Sequence, residues 1–302
     1  MSKTKFLILS LGAIIGITFG AIWAYNKLSG STSYSEESPT TRNPEEVKAA
    51  CRQHLSDADR KAAEAIAKRS KAFGDFIRSK KPGAKPFADD VVSFYGKWRA
   101  VKPYLPFTKE NGHREYVEHN FAKHIFSKKE LADAMRLAIE GSIKDIESIE
   151  NELAVALRQE VLGRSLTPDE LPIAEKEFKK AIERLVAASQ RDAAKAAGSL
   201  IVSEVAAQVA TQVIIRLGVS AGILATGAAN SWWSFGGALV IGVIVDLAWG
   251  WFDDPEGDIR REMATALDRL SRQGSTAIKE EMNKVLSQRS GLWNQTIEGI
   301  TT

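Results

Sequence analysis

From Leu217 to Val245 the chain carries no charged residue, and this mostly apolar run is broken near its middle by Gly227, Asn230, Ser231, Gly236 and Gly237. An apolar helical pattern leads into it over Leu200–Ile215, and Leu247–Phe252 leads out. About 20 apolar residues suffice to cross a bilayer as a helix, so a run of this length points to lipid. A second apolar segment, Phe6–Tyr25, strengthens that expectation. The protein is expected in or on a membrane.

The stretch 200–252 is too long for one spanning helix and has turn chemistry at its centre. Two helices joined near Gly227–Ser234 are expected, forming a membrane-inserted apolar hairpin. Trp232 and Trp233 then mark one end of the second helix, and Trp249 and Trp251 the other. Trp232 and Trp251 are 19 positions apart, about 28 Å along a helix, which matches two aromatic belts at the membrane interfaces. The first helix carries an intramembrane polar row, Glu204, Gln208, Gln212 and Arg216, continued by Ser220. Residues four apart are helix neighbours, and lipid does not accept such a row, so it is expected to face protein or water. Asp246 is the one charge on the second helix. Arg216 and Asp246 lie 15 positions either side of Ser231, so an antiparallel hairpin pairs them at one depth. In architecture alone this hairpin resembles the hydrophobic helical hairpin of colicin-type pore-forming domains; no motif of that family accompanies it.

Phe6–Tyr25 is uncharged over 20 residues and follows Lys3 and Lys5. Its length and the large residue in its best cleavage site, Ile22-Trp23-Ala24, favour an uncleaved anchor over a signal peptide. Basic residues before it predict a cytoplasmic N-terminus with most of the chain on the other side, as in a bacterial inner membrane facing the periplasm. Gly12, Gly16 and Gly20 recur at spacing four, a small-residue face for helix packing in lipid.

The remainder reads as all-α. Residues 27–43 are a linker. Asn43-Pro44-Glu45-Glu46 is a helix start, and a helix is expected to about Lys80, stopped by Lys81-Pro82-Gly83. Residues 87–126 read as less regular and dense in aromatics. Between Arg78 and Lys109 there are eight Lys or Arg against Asp89 and Asp90. Such a segment suits either an anionic lipid surface or the core of a small helical subdomain, and the second reading is favoured. Ser127-Lys128-Lys129-Glu130 is a capping box, opening a helix to about Leu162 that Gly163 ends. Thr167-Pro168-Asp169-Glu170 opens another toward Thr226. Asp254-Pro255-Glu256 opens a last helix that Gly274 is expected to interrupt. These signals divide the chain into an anchor (1–26), the linker, a helical bundle or coiled-coil stalk (44–199), the hairpin (200–252) and a C-terminal helix packed on the bundle (253–302). Residues 27–200 and 253–302 are expected on the same side of the membrane.

No enzyme chemistry stands out. His113, His119 and His124 lack the spacing of a paired helical metal site, and a solvated helix face explains them better. Cys51 rules out an intrachain disulfide by being alone, and it reads as an inert helix cysteine rather than a lipidation site. No phosphate loop, dinucleotide fingerprint or nucleophile elbow occurs. The balance of 41 Lys+Arg against 38 Asp+Glu gives no footprint for nucleic acid. The expectation is a scaffold or assembly protein of a cell envelope, not an enzyme, without cofactor or metal. Its partners are the lipid bilayer and either itself or another membrane protein. The alternative is an oligomeric channel or pore whose polar row lines water.

Overall fold

A computed structural model describes residues 43–101, 111–165, 202–217 and 259–299. All of the regular structure among them is helical: α1 Pro44–Ser79, a 3-10 turn Lys81–Gly83, α2 Ala84–Val101, α3 Asn111–His124, α4 Lys128–Leu162, α5 Val202–Arg216 and α6 Ile259–Gly299. Among the described residues no helix is long and apolar enough to cross a membrane. The expected anchor, Phe6–Tyr25, and the apolar run after Leu217 lie outside the described residues.

Local signals place the helix ends. Asn43 Oδ1 accepts the Glu45 N–H at 3.1 Å, supplying one of the donors that a helix start leaves open. At α4 the capping box is reciprocal. Glu130 N–H donates to Ser127 Oγ at 3.2 Å, and Ser127 N–H donates to Glu130 Oε2 at 2.8 Å. Gly163 follows α4 at φ 66°, the left-handed conformation that glycine adopts at least cost.

Two expectations change. Residues 87–126, read as irregular, fall largely on α2 and α3. Phe87, Phe121 and Phe126 are fully buried there, and Phe121 meets the other two edge to face. These three rings lie in a helical core; Phe94, Tyr95, Trp98, Tyr104 and Phe107 fall outside the described side chains. Gly274 does not interrupt the last helix; α6 is continuous over 41 residues. Gly274 is buried against the Phe73 ring, so its missing side chain serves a helix contact rather than a break.

The chain forms two compact units. In one, residues 44–63 of α1 pack with 146–165 and with 285–299 of α6. Its core is Cys51 and Leu55 from α1, Leu153, Ala154 and Leu157 from α4, and Trp293 and Ile297 from α6. Here α1 runs antiparallel to α4, since Lys61 pairs with Glu152 while His54 approaches Glu160.

The other unit holds residues 64–145, α5 and residues 259–284. Helical stripes fill its core: Ile66, Phe73 and Ile77 from α1, Leu131, Met135, Ile139 and Ile143 from α4, and Met263, Leu267, Ile278 and Met282 from α6. Spacings of four, seven and eleven keep each set on one helix face. α1 and α6 approach closely where Ser271 Oγ donates to the Gly74 carbonyl at 2.8 Å.

Candidate functional site: a buried ion pair and a charged clamp

The deepest polar group in the first unit begins with Glu150, which sits among Ile146 and Leu153 on the apolar stripe of α4. Glu150 and Arg289 are 7% and 5% exposed. Arg289 Nε donates to Glu150 Oε1 at 2.8 Å, its Nη2 donates to Oε2, and Trp293 Nε1 donates to Oε1 at 3.2 Å. Burial opposes the Arg289 charge, but the bonds and charge of Glu150, with Glu147 behind it, raise the guanidinium pKa overall. A bidentate pair with every oxygen bonded is the arrangement that offsets desolvation.

Beside it, Ser290 Oγ bonds the Asp59 carboxylate. Burial pushes the Asp59 pKa up; the Ser290 bond opposes this and the Glu150 charge adds to it. A cavity of about 10 Å³ touches Asp59, Glu150, Ser290 and Trp293. That is room for about one water, whereas small-molecule sites run to roughly 300 Å³ or more. Cys51 is fully buried, and burial, then the Glu160 carboxylate, push its thiol pKa up. A thiol so held is a poor nucleophile, as expected of an inert cysteine.

The histidine region divides. The His113 side chain lies outside the described set and His119 is exposed. His124 Nε2 lies 2.7 Å from Asp90 Oδ2, and Lys123 Nζ donates to the same oxygen at 3.0 Å. His124, then Lys123, hold the Asp90 carboxyl below its ordinary value. Among the described residues no cluster of three or more His, Cys, Asp or Glu is arranged to hold a metal.

The polar row falls on α5. Glu204, Gln208, Gln212 and Arg216 are all exposed, while Val205, Ala206, Val209, Ala210, Val213 and Ile214 are buried. Among the described residues the row is thus the exposed side of α5, opposite its buried apolar face. Arg216 bonds Glu280 through Nη1 and lies 2.6 Å from Glu281 through Nε. Glu281 is buried and also takes Lys284 at 2.9 Å. Arg216 therefore has acidic partners on α6. Its expected partner, Asp246, lies outside the described residues, as do Gly12, Gly16, Gly20, Ser220, Trp232, Trp233, Trp249 and Trp251.

Sequence reasoning missed the Glu150 cluster, whose members are 139 and 143 positions apart. One signal was legible: a carboxylate on the α4 stripe, and an arginine one turn from a tryptophan on the α6 stripe. Compared with protein-family models, curated proteins and solved structures, the chain matches none.

Proposed function

We propose that the protein is a membrane-anchored helical scaffold or assembly protein of a cell envelope, acting by self-association or by holding partner proteins. The supporting observation is uninterrupted helix of 36, 35 and 41 residues in α1, α4 and α6 in a chain that also carries the apolar segment 6–25. Long helices that pack through apolar stripes suit holding partners more than turnover. The membrane half of the reading draws on the sequence: Phe6–Tyr25 as anchor with a cytoplasmic N-terminus, the glycine face for association, and the bulk of the chain on the far side. The test is fractionation and cross-linking of the full chain. It should stay with membranes through alkaline extraction and cross-link to itself or to one defined partner, and Gly16→Ile should weaken the self-product. A strictly monomeric protein in mild detergent that captures no partner would overturn the reading.

The second reading, a channel or pore, is supported by the exposure of Glu204, Gln208, Gln212 and Arg216, which a water-lined lumen requires. Planar-bilayer recording tests it. An ohmic conductance altered by Gln212→Leu favours the pore, and silent bilayers holding inserted protein exclude it.

A further inference from the structure

We propose that the cluster of Asp59, Glu150, Arg289 and Ser290 is a proton-binding site, and that uptake of one proton by Asp59 tightens the packing of α1, α4 and α6 in the first unit. The inference concerns this core alone and stands whether or not the chain meets a membrane.

Asp59 from α1 and Glu150 from α4 bring their carboxyls to one cavity, and α6 supplies a single guanidinium, Arg289. That guanidinium is committed to both oxygens of Glu150. With all three groups ionised, a carboxylate is left in excess, and a second like charge at one site is held only at a cost. The other charges nearby do not relieve it. Glu147 on α4 acts on Arg289 and is itself acidic. On α1, Arg60 lies 3.6 Å from Asp57, and Lys61 lies 3.3 Å from Glu152. The cavity has room for about one water, and Leu55, Ala62, Ile146 and Leu153 complete its wall. Too few oxygens face it for a metal cation, which takes about six. A proton is the cation that fits.

The hydrogen bonds have a place for that proton. Ser290 Oγ bonds the half-buried Asp59 carboxyl and also lies 3.0 Å from the Leu286 carbonyl. A hydroxyl has one proton to donate. Both contacts are full hydrogen bonds at once when Asp59 supplies the other: Asp59 O–H donates to Ser290 Oγ, and Ser290 O–H donates to the Leu286 carbonyl. Burial pushes the Asp59 carboxyl pKa up, against the Ser290 bond and with the Glu150 charge. A folded pKa above the unfolded value means that ionisation costs stability above the folded value, and the cost disappears as pH falls toward the unfolded one. Acid therefore favours this core. Glu298, lowered by Arg52 on the exposed surface of the same unit, has the opposite sign. So do Asp90 and Glu130 in the other unit, where Lys123 and His124 tie α3 to α2 and Lys80 ties α1 to α4.

The experiment is hydrogen exchange read by mass spectrometry on the full chain in mild detergent, native and Asp59→Asn, corrected for intrinsic exchange. The pH runs from about 8 down to about 4, the ordinary carboxylate value. Asparagine keeps the shape and a donor for Ser290 but does not titrate. At the upper pH, Asp59→Asn should protect residues 285–299 of α6 severalfold more than the native chain does. That difference should close as pH falls, because the native core gains protection. Residues 111–124 of α3 should lose protection in acid equally in both proteins. Parallel pH profiles for the two proteins at 285–299 would overturn the proposal, as would weaker protection in Asp59→Asn at the upper pH. If the variant does not fold, the native profile decides: protection at 285–299 that falls in acid as it does at 111–124 overturns the proposal, and protection that rises there supports it.

Discussion

At the residue scale, the Arg289–Glu150 pair shows how a charge is held in a helical core. Each charge is compensated by the other, and Trp293 adds a donor to the same carboxylate. Removing one partner leaves the other charge buried, whereas removing both leaves none. Arg289→Met should therefore cost about 3–5 kcal/mol in urea unfolding, the usual penalty for breaking a buried pair. Glu150→Leu combined with Arg289→Met should recover most of that loss. A double variant no more stable than the single would show that the cost lies in packing and not in the stranded carboxylate.

At the element scale, glycines separate close approach from plain helix weakness. The 3-10 turn between α1 and α2 passes so near the end of α3 that a side chain on Gly83 would overlap the His124 carbonyl. That obstacle is backbone, not the movable end of a side chain. Gly83→Ala should destabilise the fold by about 1–3 kcal/mol, as overpacking does. Gly291 lies within α6 with open space where a side chain would project. Gly291→Ala should stabilise by roughly 0.5–1 kcal/mol, because alanine gives up less backbone freedom in a helix. Thermal melts of the two variants should move in opposite directions; a rise for Gly83→Ala would mean that the turn gives way easily.

At the scale of the whole molecule, pH acts through many paired carboxylates. Asp75, Asp90, Asp133 and Glu298 have lowered pKa values through hydrogen bonds from Lys71, His124, Lys129 and Arg52 respectively. Glu130 is also lowered: burial opposes this, and Lys80 and Ser127 prevail. A carboxyl whose folded pKa lies below its unfolded value stabilises the fold above the unfolded value, and this contribution is lost as pH falls through the folded one. Asp59 acts with the opposite sign, because burial raises its pKa; its unfavourable contribution fades as pH falls. The lowered group outnumbers it among the described residues, so the melting temperature should fall as pH drops below about 4, the ordinary carboxylate range. About 1 M salt should blunt the fall, since the pairs are mostly exposed. A melting temperature flat down to pH of about 3 would show that these pairs contribute nothing net.

Helix identity and ends were legible in the sequence because they depend on neighbours a few residues apart. The Asn43 start, the Ser127–Glu130 capping box and the Gly163 stop need only local hydrogen bonds and backbone freedom, and each stands where its residues predict. The exposure of the Glu204–Arg216 row and the burial of the face beside it also follow from local spacing. What surrounds each face does not. Gly274 reads locally as a break, yet the Phe73 ring packed on it makes that position a contact. Arg216 found its partners in Glu280 and Glu281, 64 and 65 positions away, and Glu150 found Arg289 at 139. Such pairings are chosen by which helix faces pack together, and that choice is a property of the folded chain alone. Local spacing determines that a face must be covered; only tertiary packing decides by what.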